Sequence, residues 1–413
     1  MPLIYDCLII GGGAAGMCAA ISLKMNNPSY KIAIIEQLSR VGKKLIVTGN
    51  GRCNITNADL SYNSFHSENE GFLKHILDNY SGETESFFEG LGVVFTTDDR
   101  GRVYPNSLQA SSVVDALRFK IEELNIQVFT ETKMLSYKKK NAKFEVETDK
   151  EIFIGKALLI AAGLFSGGRK LGSDGAAFGL MKSSGYKTVK TTPAIVQLKT
   201  ESDIVRQLKG IKVDADVILK EGGKTLRQEF GEVLFCDYGL SGPPIMQVSR
   251  FVERSKGAKT IYLDLMPHLD FNSLFELLLR RCKTLKDRKA EEFFTGFLNK
   301  RLGQVIIKIA GVKLGDSVTA ITSSQVKKIA SLIKALPFNV IGTTGFENSQ
   351  VTAGGISLDE FNSSLMSVRE EGLFAAGEIL DVDGDCGGFN LQWAWSSAFC
   401  VAKGIAAYLG GVK

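Results

Sequence analysis

Histidine is scarce in this sequence, and its cysteines lack the spacing that metal sites and disulfide frameworks use. Only three histidines occur among 413 residues, and the seven cysteines include no C-x-x-C pair. The sequence therefore predicts no metal centre, and it favours a reduced chain in the cytoplasm.

An excess of charge of one sign is also missing. The chain has 50 lysines and arginines against 45 aspartates and glutamates, a net charge of +5. That mild excess does not favour a nucleic-acid partner. Residues 7–23 are uncharged, but no basic residue precedes them and glycines and alanines interrupt them, so they predict neither a signal peptide nor a membrane span. We expect a soluble chain of two or three domains with no membrane partner.

A strand, a glycine turn and a helix open the chain. Apolar residues 3–10 predict a buried parallel strand, and Gly11, Gly13 and Gly16 follow with the G-x-G-x-x-G spacing. In such a turn Gly11 permits the tight bend, Gly13 lets a pyrophosphate approach, and Gly16 allows the helix to pack closely. A second apolar strand ends at Glu36, whose carboxylate suits ribose hydroxyls. This pattern predicts a dinucleotide site and leaves NAD and FAD undistinguished.

Two further glycine-rich segments extend the predicted site. Gly42-Lys43-Lys44 and residues 48–54 form a polar loop that can follow an extended dinucleotide. Near the C-terminus a short strand ends at Gly377-Glu378, and a glycine pair precedes a helix that starts with residues 389–392. The N–H groups of that helix start would stabilise a reduced, anionic flavin ring, and Glu378 would bind the ribityl hydroxyls. One cofactor domain is thus predicted from both chain ends.

The middle of the chain has a different pattern of apolar and polar residues. Residues 128–155 alternate apolar and polar side chains and predict a small antiparallel meander, with Lys138–Lys140 at a hairpin tip and a separate strand at 157–162. Residues 193–340 are interpreted as an insertion, first rich in strands and then helical. The helical periods fall at 271–282, with Asp270 as N-cap, at 289–309 and at 323–334.

Six segments carry a resemblance to a known family. They are GGGAAG at 11–16, GKKLIVTGNGRCNITN at 42–57, GRVYP at 101–105, LSGPPI at 240–245, VTAGGIS at 351–357 and the stretch 372–398. On these segments the chain resembles the BaiN-like flavoproteins, which include bile-acid 3-dehydro-4,6-reductase and aminoacetone oxidase. The resemblance implies an α/β fold with a Rossmann-type FAD-binding domain, an inserted β-barrel-like domain and a small helical domain. The expected bounds are 1–192 with 341–413, 193–265 with 335–340, and 266–334.

The resemblance also implies which residues contact FAD. These are Ala15, Glu36, Lys43, Lys44, Cys53, Asn54, Glu378, Asn390 and Leu391, with Met134 on the adenine side. The same turns and loops supply the other predicted cofactor positions, which are Gly11, Gly13, Ala14, Gly16, Gln37, Gly51, Arg52, Ala162, Gly163, Gly377, Gly388 and Gln392. Many members of the family have Thr-His where this chain has Cys236-Asp237-Tyr238, so the sequence assigns no catalytic acid or base.

Several residues near the motifs have two interpretations. Arg102 and Tyr104 either line a substrate pocket or brace a domain junction. Cys53 and Cys386 are interpreted as two small thiols rather than a redox pair, because flavoprotein disulfide reductases carry closely spaced cysteines. The two tryptophans, Trp393 and Trp395, face different sides of one helix, and core packing is the expected role of at least one.

The leading functional hypothesis is an FAD-dependent oxidoreductase that transfers hydride through flavin N5. We expect an NAD(P)H-linked reductase of an activated C=C bond or a related small organic substrate, with the nicotinamide bound transiently. The alternative within the family is an oxidase of a small amine such as aminoacetone. Two other classes stay open: an RNA-associated flavoprotein whose inserted domain docks a structured RNA, and a flavin-binding protein without catalysis. Oligomeric state is not predicted.

Overall fold

The computed structural model describes residues 3–201 and 203–411. The strands in chain order are β1 (Ile4–Ile10), β2 (Ile32–Ile35), β3 (Thr56–Asn57), β4 (Phe65–His66), β5 (Phe95–Thr97), β6 (Arg102–Pro105), β7 (Gln127–Phe129), β8 (Met134–Lys140), β9 (Lys143–Thr148), β10 (Ile152–Ile160), β11 (Thr188–Ala194), β12 (Leu198–Thr200), β13 (Lys212–Glu221), β14 (Lys224–Phe235), β15 (Gly239–Ser241), β16 (Lys259–Asp264), β17 (Leu336–Thr343), β18 (Val351–Ile356), β19 (Leu373–Ala375) and β20 (Asp383–Gly384). The helices are α1 (Ala14–Asn26), α2 (Glu70–Tyr80), α3 (Glu83–Gly90), α4 (Ala110–Glu123), α5 (Ala176–Ser183), α6 (Asp203–Gln207), α7 (Pro243–Val248), α8 (Phe271–Thr284), α9 (Lys300–Ile309), α10 (Ser323–Lys334) and α11 (Phe389–Gly411).

The chain folds into two compact units. The first combines the residues up to Pro193 with those from Phe346 onward, and the second spans Ala194–Gly345. Each unit has its own hydrophobic core. The predicted fold class, an α/β fold with a Rossmann-type domain made from both chain ends and a barrel inserted between them in the sequence, is confirmed. The predicted bounds within the insertion, which set residues 266–334 apart as a small helical domain, stay a prediction.

A seven-stranded sheet forms the centre of the first unit. Its order is β7-β2-β1-β10-β9-β8, and β19 also pairs with β10. Strands β7, β2, β1, β10 and β19 run parallel, which the continuous apolar sequences of β1 and β2 predict. The parallel pairing of β7 with β2 corrects the prediction for residues 128–155, because the first strand of that segment does not join an antiparallel meander. Strand β19 and helix α11 thus complete the domain that β1 begins, and α11 packs against α1.

The predicted meander is not a separate sheet. Strand β10 is continuous through residues 152–160, so the predicted break before a strand at 157–162 is wrong. Its first half pairs antiparallel with β9, and its second half pairs parallel with β19. Lys156 hides this continuity in the sequence because it lies on the exposed side of the strand, where its Nζ binds Asp6 Oδ1 at 2.8 Å.

Lys138–Lys140 do not form the hairpin tip. They end strand β8, and the turn itself consists of Asn141 and Ala142, both with positive φ. Lys138 pairs with Glu145 at 3.1 Å, and the Lys139 ammonium lies 5.7 Å from the ring centre of Phe144. Neighbouring side chains therefore already neutralise part of this basic run.

The second unit contains a closed six-stranded barrel and a layer of helices. The barrel order is β12-β15-β14-β13-β16-β17, and all its pairs are antiparallel. Barrel residues and the apolar faces of α8, α9 and α10 share one core. As predicted, Asp270 caps α8 and accepts a hydrogen bond from Ser273 N. The helix predicted at 289–309 is wrong in its first half, because Gly296 adopts a φ of +73° and α9 starts only after Asn299. Among the described residues, no helix is long and apolar enough to cross a membrane.

Candidate functional site

The first glycine turn has the geometry that its sequence predicts. Gly11 has a φ of +102°, and a Cβ at Gly16 would lie 2.0 Å from the Gly11 carbonyl oxygen. Only glycine at both positions lets α1 leave β1 this closely. Gly13 is different, because a Cβ there would meet no atom within 4 Å. It is the N-cap of α1 without a side-chain cap, and the first turn contains no acid, so N–H groups of that turn are available to an anion.

Glu36 lies beside this turn at the end of β2. Its side chain is buried, with Oε2 accepting from Gly12 N at 2.7 Å and Oε1 from Leu38 N at 2.8 Å. Burial raises the pKa of this carboxyl, while backbone hydrogen bonds from Leu38, Gly12 and Gln37 and the charge of Lys43 oppose that shift. Each carboxylate oxygen keeps a lone pair for a further donor, so binding of ribose hydroxyls stays compatible with these contacts.

Lys44 and Glu378 join the two chain ends. Lys44 Nζ lies 2.6 Å from Glu378 Oε2 and 2.9 Å from Ser166 Oγ. The other carboxylate oxygen of Glu378 accepts from Ser166 Oγ at 2.5 Å and from Thr352 N at 3.1 Å. Ser166 is not among the site residues predicted from the sequence, and Thr352 has no predicted role. The only available signal for Thr352 was its position in the VTAGGIS segment.

The loop between Lys44 and Asn54 is tightly wound. Gly49, Asn50, Gly51 and Cys53 all have positive φ, and for the two non-glycine residues this conformation is strained. Burial raises the pKa of the Cys53 thiol to about 12, and Cys386 is exposed. Neither cysteine forms a disulfide. These environments agree with two separate thiols rather than a redox pair.

Arg52 and Arg102 lie beside the ring of Tyr104. Their guanidinium carbons are 5.2 Å and 6.0 Å from the ring centre, and Tyr104 is buried. Arg102 also binds Asp98 through two nitrogens, at 2.6 Å and 2.7 Å. Tyr104 and Arg102 therefore brace the loop at 49–54, and their side chains are largely occupied.

A buried polar atom without a partner lies where α11 begins. Asn54 is 8% exposed, and its Oδ1 has no hydrogen-bond partner among the described residues. A Cβ on Gly388 would lie 2.9 Å from this oxygen and 2.4 Å from Thr56 O. Because an unsatisfied buried carbonyl is costly, this oxygen suggests a donor supplied by a ligand.

The other polar residues at the start of α11 bond within the protein. Asn390 accepts from Gly384 N at 2.8 Å and donates to Gly384 O at 2.7 Å. Gln392 is fully buried, and its amide accepts from Thr56 Oγ1 and donates to Thr84 Oγ1 and Ser396 Oγ. Their side chains shape the helix start, so a ligand would meet the backbone N–H groups here rather than the Gln392 amide.

Both tryptophans are core residues that fix the same region. Trp393 and Trp395 are at most 1% exposed. The Trp393 indole donates to Gly377 O at 3.1 Å, and the Trp395 indole donates to Ile55 O at 3.0 Å. They tie α11 to the Gly377 turn and to the loop that follows Asn54.

The remaining predicted positions are distributed around the same strand ends. Gln37 donates to Gly172 O at 2.6 Å, Met134 is buried in β8, and Gly51 has open space around it. Ala14, Lys43, Ala162, Gly163 and Leu391 are half-buried, while Ala15 and Gly377 are buried. Cofactor contact at these residues stays a prediction.

The fold and this site define the class of the protein, an FAD-dependent oxidoreductase. The sequence profile of the HI0933-like protein Rossmann domain matches residues 5–404, so the chain belongs to the HI0933-like family.

Similar proteins support this class. The chain is 31% identical over 403 residues to the 3-dehydro-bile acid delta(4,6)-reductase of Clostridium scindens, covering 96% of this chain and 98% of that one. It is 26% identical to the ribosomal RNA dihydrouridine synthase of Escherichia coli, covering 98% of each chain. The 3-ketosteroid-delta4-(5alpha)-dehydrogenase of Rhodococcus jostii has the same fold, with a TM-score of 0.51 at 16% identity over 98% of this chain and 97% of that one.

The residues present fit an extended FAD. Open space at Gly13 leaves room for a pyrophosphate at the start of α1, and the unpaired Asn54 oxygen can accept from an N–H of the flavin ring. Glu36 retains acceptor capacity for the ribose, and the first N–H groups of α11, which starts after a glycine pair, have no acceptor within the helix.

The ion pair between Lys44 and Glu378 offers a test of how firmly the chain ends are joined. We expect a double-mutant cycle of Lys44→Met and Glu378→Gln to give a coupling energy of about 2 kcal/mol, because the pair is mostly buried and shares Ser166. Urea unfolding of the FAD-free protein measures it. Lys403 and Glu83, also 2.6 Å apart but far more exposed, form the matched control and should give at most about 0.5 kcal/mol. Equal coupling in both pairs would contradict a structural role for Lys44.

Proposed function

We propose that this chain is a reductase that uses NAD(P)H to saturate a C=C bond conjugated with a carbonyl group. The observation that carries the reaction type is what two groups of relatives share. A 3-dehydro-bile acid with delta-4 and delta-6 bonds has its C=C bonds conjugated with the 3-oxo group, and dihydrouridine forms when the C5=C6 bond next to the uracil carbonyl is reduced. We also propose a cytoplasmic location, because the seven cysteines include no closely spaced pair.

The chain's own residues would hold and orient the cofactor. The start of α1 would bind the pyrophosphate, and Glu36 would bind the adenosine ribose. Lys44 and Glu378 would lie on the ribityl side, and Asn54 with the α11 N-terminus would face the ring. When bound, FAD supplies the hydride acceptor and donor at N5. The positive end of α11 would favour the negative charge of the reduced ring.

A second candidate substrate is a uridine in ribosomal RNA. Two relatives, from Escherichia coli and Haemophilus influenzae, are ribosomal RNA dihydrouridine synthases and align over 98% and 97% of this chain. Enone reduction is the same chemistry in both cases: hydride adds to the carbon distant from the carbonyl, and a proton adds to the carbon next to it. The two candidates therefore differ in the molecule that contains the conjugated C=C bond, whereas the reaction is the same.

The test of the reaction type is an anaerobic titration of the purified, FAD-loaded protein. We expect the flavin absorbance near about 450 nm to bleach on addition of NADH or NADPH. A conjugated 3-oxo steroid acid or ribosomal RNA should then restore it, with a saturated product found by mass spectrometry. Bleaching by aminoacetone, with recovery only on admitting oxygen, would instead establish the oxidase alternative. Failure to take up FAD would contradict the proposal at its first step.

The two candidate substrates are separated by product analysis. After turnover with NADPH, ribosomal RNA is digested and its dihydrouridine measured, in parallel with the saturated steroid product. We expect one substrate to turn over at least about 100-fold more efficiently, since a pocket that hydrogen-bonds its own substrate discriminates by several kcal/mol.

A further inference from the structure

Positive charge is concentrated in one short stretch of the second unit. Residues 266–334 contain 13 lysines and arginines but only six aspartates and glutamates, whereas the rest of the chain contains 37 and 39. The stretch therefore has a net charge of +7, and the rest of the chain has −2. The overall charge of +5 conceals this asymmetry.

Six exposed lysines of this stretch lie at one end of its helices. The C-terminal ends of α8 and α9 meet the beginning of α10 through the loop at 311–318. Gly311 N donates to Lys308 O at 3.0 Å, Ser317 Oγ donates to Lys286 O at 3.4 Å, and Gln325 Nε2 donates to Gly311 O at 3.1 Å. We call this surface the basic end; its lysines are Lys283, Lys286, Lys308, Lys313, Lys327 and Lys328.

The lysines of the basic end are free to bind a ligand. All six are exposed, and none forms an ion pair or a side-chain hydrogen bond with any described residue. Two other cations of the stretch are occupied: the Arg281 guanidinium donates to Phe293 O, and Lys334 Nζ lies 2.6 Å from Asp264 Oδ2. Arg288 and Lys289 follow closely in the sequence and bring the number of cations to eight. The nearby carboxylates number four, namely Asp287, Glu291, Glu292 and Asp316.

Helix stabilisation accounts for only some of these lysines. Cations near the C-terminal ends of α8 and α9, such as Lys283 and Lys308, favour the helix dipole. Lys327 and Lys328 lie in the second turn of α10, nearer the positive end of its dipole, and the first turn has no acid to balance them. Their placement points to an external anion.

We propose that the basic end binds the phosphate backbone of structured RNA. No large hydrophobic side chain is exposed in residues 266–334, which argues against a membrane surface or a protein interface, since both use exposed apolar anchors. No phenylalanine, tyrosine or tryptophan is exposed in residues 266–334, which also argues against stacking on single-stranded bases. A cationic surface without apolar anchors matches recognition of a phosphate backbone. This inference rests on the part of the proposed function that names ribosomal RNA as a candidate substrate. It requires that the protein binds RNA, but not that it reduces a uridine.

A charge-removal pair of variants tests this surface in the FAD-loaded, full-length protein. Lys286, Lys313 and Lys327 are changed together to Gln, and the matched control changes Lys138, Lys140 and Lys143 of the β8–β9 hairpin to Gln. Binding of purified bacterial ribosomal RNA is measured by filter retention across a salt series. We expect the basic-end variant to raise Kd at least about tenfold and to flatten the salt dependence by about two to three units of slope. The control should bind like the unmodified protein.

The outcomes separate this inference from the proposed reaction. The proposal that the basic end binds RNA would be overturned if the unmodified protein did not bind RNA at low salt. It would also be overturned if both variants lost RNA affinity equally. Tighter, equally lysine-dependent binding to vesicles of anionic lipid would identify a membrane surface instead and would also overturn it. NADPH-driven reduction of a small enone is measured on the same samples and should be unchanged in both variants. If that reaction fails in the unmodified protein, the proposed function fails while the binding result still stands.

Discussion

Gly13→Ala is expected to fold like the unmodified protein and to bind FAD about 30-fold more weakly, whereas Gly16→Ala should not fold stably. A Cβ at Gly13 meets open space, and its φ of −83° suits alanine. The methyl group would instead occupy room needed by a pyrophosphate, at a cost of about 2 kcal/mol. At Gly16 the Cβ would lie 2.0 Å from Gly11 O, so α1 would have to move away from the sheet at about 3 kcal/mol or more.

Circular dichroism melts and equilibrium dialysis with FAD measure these two effects separately. Gly51→Ala is a useful third variant, because its Cβ also meets open space but its φ of +80° adds backbone strain. Retained FAD affinity in a folded Gly13→Ala protein would show that the pyrophosphate does not approach this turn. A stable Gly16→Ala protein would show that α1 can shift without cost.

Asn54→Leu is expected to stabilise the FAD-free protein while weakening its affinity for FAD. The Asn54 Oδ1 atom is buried without a partner among the described residues, so removing it relieves an unsatisfied acceptor worth about 1–3 kcal/mol. If a flavin N–H satisfies that oxygen in the complex, the variant loses this hydrogen bond and Kd rises by about tenfold. Opposite changes in the two quantities are the signature of a polar group retained for ligand binding.

The measurement compares urea unfolding of the FAD-free protein with FAD titration of the folded protein. Thr56→Val is the control, because Thr56 is buried nearby but donates to Gln392 Oε1 at 2.5 Å. That substitution should destabilise the FAD-free protein, since the Gln392 acceptor loses its donor. If Asn54→Leu also destabilises it, with unchanged FAD affinity, the unpaired oxygen has no role in the site.

The backbone of the site was predictable because local rules determine it. The spacing of Gly11, Gly13 and Gly16 after an apolar strand requires the turn that is observed, and Asp270 and residues 323–334 obey capping and periodicity rules. The helix predicted at 289–309 was wrong in its first half, because the helical spacing of apolar residues continues through Gly296 although the helix itself does not. Periodicity also failed within β10, where one strand pairs with different neighbours along its length.

Side-chain roles were less predictable because they depend on partners distant in the sequence. Lys44 contacts Glu378 and Ser166. Gln392 contacts Thr56 and Thr84. These partners lie more than 100 residues apart in the sequence, so no local sequence pattern predicts the contacts. Gln37 and Asn390 likewise bond to backbone atoms of neighbouring loops. A polar residue in a motif can therefore serve the ligand or the loop that holds it, and the sequence alone does not separate these roles.

Because the first unit is made from both ends of the chain, it cannot be completed until the second unit has been synthesised. Strand β19 and helix α11 are made after the whole second unit, yet they pair with β10 and pack on α1. During translation the barrel unit can fold while the cofactor unit still waits for its final strand and helix. A nascent chain stopped before residue 373 would carry the first glycine turn without Glu378 or α11. Cofactor loading is thus expected only once α11 has been synthesised, so that the order of translation itself prevents a partly built unit from binding the flavin.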